Sequence, residues 1–400
     1  MRRLLLASLL ALTTMAAAPD KAKVPPPPTP LGDPMAPDGC LSCETYAPRA
    51  YPGDGEMLVA WHGLHDDTHV VLDRFTADGP QGNVATLSGN GNLLHFAGAV
   101  RDGEGWLASW WVGDRISIRR FDAGGAAGPE VEVNSGRPPG ASEGAVTISG
   151  RDGRALVAWA RSQDIHGINQ LLTQMHDGGG GRVSGPEVVF EGYGYLVHAA
   201  CARPDGSTVM AWQDQIEPTR DDSATPKGLV FGILDAEGRL ARGPFRLVAP
   251  GALPAELSAS PSVACAGDGS FAVIWHTNLK PLAKQGFDVV WQRFDAAGKP
   301  KGKAARVNSG LGGDQVTPRL LARGDGSYLA TWVSREANPL IEGRRLGGNG
   351  KAQGNDFLLY GGPTESRYFG DHTTAAPVEG GGFVLAWWQD LSGRMRWFRD

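Results

Sequence analysis

The stretch GDGSFAVIWHT at residues 267–277 opens on a turn signal, Asp268-Gly269, and runs on as a strand-length apolar segment ending at Trp275. Asp can bond back to nearby amides and Gly accepts a positive φ, so the pair reverses the chain before the apolar run begins. The phrase returns six times: GEMLVAW ends on Trp61, GWLASW on Trp110, GRALVAW on Trp159, GSTVMAW on Trp212, GSYLATW on Trp332 and GGFVLAW on Trp387. Successive tryptophans stand 49, 49, 53, 63, 57 and 55 residues apart. A period of about fifty with only strand signals inside it belongs to a β-propeller rather than a helical solenoid. The expected fold is all-β, a seven-bladed β-propeller of mostly four-stranded antiparallel blades.

Around Trp275 one whole blade is legible: PSVACA, the turn GDGS, FAVIWHT, a loop, FDVVWQRF, the turn DAAGKPKG and KAARVNSG. With strands lettered A to D from the channel outward, the period of two in strand B puts Phe271, Val273 and Trp275 on one face and Ala272 and Ile274 on the other. Both faces of a blade are covered by neighbours, so both are apolar, and the tryptophan fills the wedge between blades. The strand C ends repeat as RFTADG, RFDAGG, ILDAEG and RFDAAG, finishing at Gly79, Gly125, Gly238 and Gly298. The seventh repeat stops at RMRWFRD without a strand D of its own. Its ring closes either on a three-stranded blade or on an N-terminal segment, roughly Leu31 to Leu41, supplying the outer strand, where prolines are tolerated.

These residues resemble the propeller repeats of exported bacterial proteins that carry a DG-x-F-x-V-x-W strand, a RFDA-x-G turn and a G-x-x-x-x-VN strand. The resemblance covers about residues 44 to 400 and implies the architecture without a chemistry. The Asp boxes of sialidases, S-x-D-x-G-x-x-W, look similar, but here the Trp comes only after a full strand, so no sialidase activity is implied.

The opening MRRLLLASLLALTTMAAA has the basic, Leu-rich and small-residue grammar of a secretory signal peptide. Residues 1–17 are thus expected to be removed, 18–43 to form a Pro-rich spacer carrying the Cys40-x-x-Cys43 pair, and 44–400 to form the propeller. Export follows, to the periplasm, the cell surface or the medium. Cys40 and Cys43 read as a small local disulfide, with a redox role as the alternative. Cys201 and Cys265, at matching positions of successive repeats, read as buried thiols, with a cross-blade bridge as the alternative if the inner strands come unusually close. The net charge of −5 is scattered, which argues against nucleic acid and anionic membranes as partners. No other segment is apolar enough for a transmembrane helix, and nothing marks the oligomeric state.

Function is expected on the face bearing the B-to-C loops, which vary in length and chemistry while the A-to-B and C-to-D turns stay short. Strand A starts on that face at the channel rim, and its first residues are polar: Glu44, His95, Glu143, His198, Gln315, Asp371 and His372. This set is the candidate ligand-binding mouth. His95, His198 and His372 together could hold a divalent metal or act as acid and base on a sugar; the alternative is that each satisfies local groups. A second candidate metal set is His62, His65 and His69, with His62 and His69 expected to face each other across a hairpin. No nucleophile elbow, zinc-protease motif or phosphate loop occurs, and no residue is marked as catalytic. Trp111, Trp388, Tyr193 and Tyr195 offer stacking surfaces. The first reading is a binding propeller for a glycan, peptide or protein; the others are a metal-assisted polysaccharide lyase or hydrolase, and a structural surface protein.

Overall fold

The computed structural model describes residues 26–35 and 49–399, apart from 53–55, 63–67, 137, 139–140, 152, 163–167, 194–197, 216–226, 254–260, 279–282, 284–285, 311, 336–338, 362–372, 379–380 and 390–391. The proposed signal peptide and the Cys40–Cys43 pair lie outside the described residues. Among those described there is no helix, and so none long and apolar enough to cross a membrane.

The chain forms a seven-bladed β-propeller of seven four-stranded antiparallel sheets. The inner strands of blades 1 to 7 are Arg49–Pro52, Leu94–Asp102, Ser142–Arg151, His198–Ala202, Ser262–Cys265, Asp314–Ala322 and Thr374–Pro377. Each packs on the inner strand of the next blade, and the circle closes where Thr374–Pro377 meets Arg49–Pro52. The turn chemistry is as read. In blades 4, 5 and 6 the turn aspartates Asp205, Asp268 and Asp325 each accept bonds from the amide and hydroxyl of the serine two residues on.

All seven wedge tryptophans sit in the second strand of their blades, and even the most exposed, Trp110, is only 5% accessible. The core is divided into seven apolar clusters, one per blade interface. Between blades 4 and 5, Phe271, Val273 and Trp275 pack with Val209, Ala211 and Phe231. Ala272 and Ile274, the alternate residues of the same strand, pack on the other side with Ala330, Trp332 and Leu346 of blade 6. Period two thus serves two interfaces with one strand, which is why these strands read as continuous apolar runs.

The seventh blade is closed by the N-terminus. Its sheet runs Thr29–Met35, Ser392–Arg399, Phe383–Gln389, Thr374–Pro377 from outside to inside. Leu31 pairs with Trp397 and Met35 with Met395, and both side chains pack on the cluster shared by blades 7 and 1. Arg396 Nε donates to Gly32 O at 2.9 Å, and Arg345 of blade 6 bonds the carbonyl of Pro26. The closing strand therefore comes from within the Pro-rich stretch, slightly before the 31–41 window expected for it.

Cys201 and Cys265 correct the thiol reading. They form a disulfide between the inner strands of blades 4 and 5, with Cα atoms 5.7 Å apart. Inner strands converge on the axis, so here the matched positions come within bridging range.

Candidate functional site

Strand side chains stand perpendicular to their sheet. In a ring of radiating sheets that direction points at the neighbouring blade and not along the radius, so inner-strand residues meet the channel mainly through their backbone edge. This explains where the candidate residues go. His198 is buried, and its Nε2 lies 3.3 Å from the carbonyl oxygen of Ala158, across the interface between blades 3 and 4. His95 stacks on Trp111, its cross-strand partner, with ring centroids 4.6 Å apart and planes 19° from parallel. One face of Trp111 is thereby taken by the protein itself.

Glu143 accepts from Arg161 Nε at 2.7 Å, with its own side chain wholly inaccessible. Gln315 Nε2 donates to Gly312 O at 2.7 Å and to Ser334 Oγ at 3.0 Å, leaving its buried Oε1 without a partner. Glu44, Asp371, His372, His65 and Tyr195 lie outside the described residues, as do the side chains of His62, Tyr193 and Trp388.

The hairpin histidines differ from expectation in register. His62 does end its strand and His69 does start the next, but His62 pairs with Val70, so His69 stands diagonally from it rather than opposite. The two His69 ring nitrogens lie 2.9 Å from Thr68 Oγ1 and 3.2 Å from Ser88 Oγ. Among the described residues no three His, Cys, Asp or Glu side chains form a group able to hold a metal ion.

What the structure does assemble on this face is a polar belt over blades 3 to 6, at the starts of the inner strands and the ends of the second strands. It contains Glu143 with Arg161, His198, Asp214 with Arg246 at 2.7 Å, His276 and Gln315. His276, at the end of Phe271–Thr277, was not singled out by the sequence as a site residue. It is 3% exposed, neither ring nitrogen has a hydrogen-bond partner, and the Phe287 ring meets its ring edge to face at 5.7 Å. Phe287 is tied to blade 6: its amide donates to Asp314 Oδ1 at 3.0 Å, and its carbonyl accepts from the Gln315 amide at 2.8 Å.

Burial, helped by the charges of Arg335 and Arg319 and opposed by Asp314, pushes the His276 pKa down to about 4, so the ring is neutral near pH 7. The inner strand of blade 6 is bulged between Val316 and Arg319, and Thr317 there has φ of 49°. For a β-branched residue this is a strained conformation, and such bulges re-aim the side chains around them. The only signal of His276 in the sequence is its place directly after a wedge Trp, which His62 shares.

No family model and no curated protein matches this chain. Solved structures do resemble it. A structure described as polysaccharide lyase PL25-Ulvanlyase aligns with TM-score 0.57 and 9% identity, over 93% of this chain and 95% of that one. The same lyase bound to -[GlcA(1-4)Rha3S]- gives 0.55 and 10%, over 93% and 94%. Polysaccharide lyase Uly1 gives 0.53 and 12%, over 90% and 91%. At these identities the likeness is one of fold.

Proposed function

We propose that the chain is an exported propeller that binds an acidic polysaccharide on its B-to-C loop face, above blades 3 to 6. The observation that carries this reading is His276: a buried imidazole with two unpartnered nitrogens, linked through Phe287 to Gln315 with its unpartnered buried oxygen, and under the field of Arg319 and Arg335. Buried polar atoms left unpaired are costly, and a ligand at the mouth of the ring would supply partners to these. The likeness to two polysaccharide lyases supports a glycan among the ligand classes, and the Arg field supports an acidic one. The opening basic-apolar-small segment and the cross-blade disulfide support export.

Calorimetric titration of the mature chain with acidic and neutral polysaccharides tests this. Saturable binding of an acidic polymer, weakened by H276A, is expected; equal affinity for neutral polymers, or an unaltered H276A, refutes it.

A β-eliminating lyase is the second reading, favoured by an imidazole with both nitrogens unpartnered and the cations Arg319 and Arg335 acting on it. In that chemistry a base takes the proton α to a uronate carboxylate while a cation steadies the developing charge. Growth of ultraviolet absorbance from an unsaturated uronyl product, lost in H276A, separates catalysis from binding alone.

A further inference from the structure

We propose a second ligand site on the opposite face of the disc, in the crevice between blades 5 and 6, taking a small molecule that carries an oxyanion, either a carboxylate or a sulfate ester. The crevice has a volume of about 420 Å³, within the range of about 300–1,000 Å³ usual for small-molecule pockets. Its walls are the A-to-B turns of the two blades, closed at the side by Arg293, Lys301 and Gly348. Nothing in the polar belt of the B-to-C face reaches it, because the strands carry the two sets of residues to opposite ends.

Three cations line this crevice: Arg293, Lys301 and Arg323. Arg293 is held in place before any ligand arrives. It stands near the end of Asp288–Phe294 in blade 5, and its Nη1 donates to the Gly348 carbonyl of blade 6 while Nη2 donates to Lys301 O at 3.4 Å. Gly350 makes room for the guanidinium: a Cβ there would fall 2.6 Å from Nη2. A guanidinium has five N–H donors, so two used in this clamp leave three others.

The two acids of the crevice offset part of this charge, Asp268 through Lys301 and Asp325 through Arg323. Asp268 Oδ1 accepts from Ser270 N at 2.9 Å and Ser270 Oγ at 2.6 Å, and Asp325 Oδ1 accepts from Ser327 N at 2.9 Å and Ser327 Oγ at 2.5 Å. Both carboxylates are thus also bonded within their own turns, and three cations against two acids leave the crevice with an excess of positive charge. The adjoining crevice between blades 6 and 7, of about 360 Å³, shares the Arg323–Asp325 turn but is otherwise lined by groups such as Leu321, Leu329, Val378 and Phe383. Of these two crevices, it is the one between blades 5 and 6 that adds Arg293 and Lys301 to Arg323.

The test is calorimetric titration of the whole mature chain with glucuronate, galactose 6-sulfate and, as the uncharged control, glucose. Saturable binding of a charged sugar is expected, and which one binds separates carboxylate from sulfate ester. Charge-assisted hydrogen bonds contribute enough that R293Q/R323Q should weaken binding by about tenfold or more. Charged sugars that bind no better than glucose overturn the proposal. Undiminished binding in R293Q/R323Q also overturns it, by putting the sugar elsewhere, and leaves the reading of the opposite face standing. Arg293 bridges two blades, so should the double variant fail to fold, K301Q at the exposed rim takes its place. It should weaken binding by about threefold; unchanged affinity overturns the proposal.

Discussion

Replacing both bridged cysteines, as C201A/C265A, should lower the stability of the ring by about 4 kcal/mol. The bridge links residues 64 apart in sequence, and closing a loop of that length removes about 14 cal/mol/K of entropy from the unfolded chain. At 25 °C that is about 4 kcal/mol, nearly all of it acting on the unfolded state. The folded ring loses little, since both inner strands remain packed on the cluster between blades 4 and 5 through Ala199 and Val263. With an unfolding entropy of about 2.1 cal/mol/K per residue over the roughly 370 residues of the ring, the melting temperature should fall by about 5 °C. Circular-dichroism melting of wild type and C201A/C265A, each with and without a thiol reductant, measures this. Reductant should bring wild type down toward the variant. The reasoning is refuted if the variant melts within about 1 °C of oxidised wild type, or if thiol labelling of the unfolded, unreduced chain finds both cysteines free.

Truncating a wedge tryptophan, as in W275A, should cost about 3–5 kcal/mol, because a fully buried indole leaves a cavity that two packed sheets cannot collapse into; chemical denaturation checks it, and a loss under about 1 kcal/mol would contradict the wedge role. Deleting residues through Met35 strips Leu31 and Met35 from the cluster between blades 7 and 1 and bares the edge at Trp397, so the melting temperature should fall; an unchanged melt would show that the three remaining strands close the ring unaided. His276 has its folded pKa below its unfolded one, so between about pH 6.5 and 4 the unfolded chain takes up a proton that the folded chain refuses. Stability should therefore drop as pH falls through that window, by up to roughly 3 kcal/mol, and H276N should flatten the profile; equal pH dependence in the two proteins would argue against a buried neutral imidazole.

Much of the architecture was legible because it repeats. Turn formers and wedge tryptophans act locally, through φ > 0 at a glycine or the volume of one indole, so Asp268-Gly269 and Trp275 mean the same thing in sequence as in space. The strand D pattern, legible in six repeats, is missing from the seventh. Which residues supplied it needed the ring, since Thr29–Met35 meets Ser392–Arg399 only after the other blades have brought the termini together.

The site was far less legible, for the same physical reason in each case. His95 and His198 fall at nearly matching repeat positions, yet His95 pairs with Trp111, one residue past its wedge Trp, while His198 pairs with the wedge Trp212 itself. That one-residue offset turns them to opposite faces of their blades, His95 onto the Trp111 ring of its own sheet and His198 onto the Ala158 carbonyl of the neighbouring blade. His276 looks ordinary in HTNLKPLAKQG, and only the packing of Phe287 and the inner strand of blade 6 around it buries it and holds it neutral. Cys201 and Cys265 carried their equivalence in the sequence but not their separation. By itself the sequence determined the repeat, the turns and the wedge, which depend on short-range geometry; burial, pairing and charge state depend on neighbours about fifty residues away, and only the closed ring decided them.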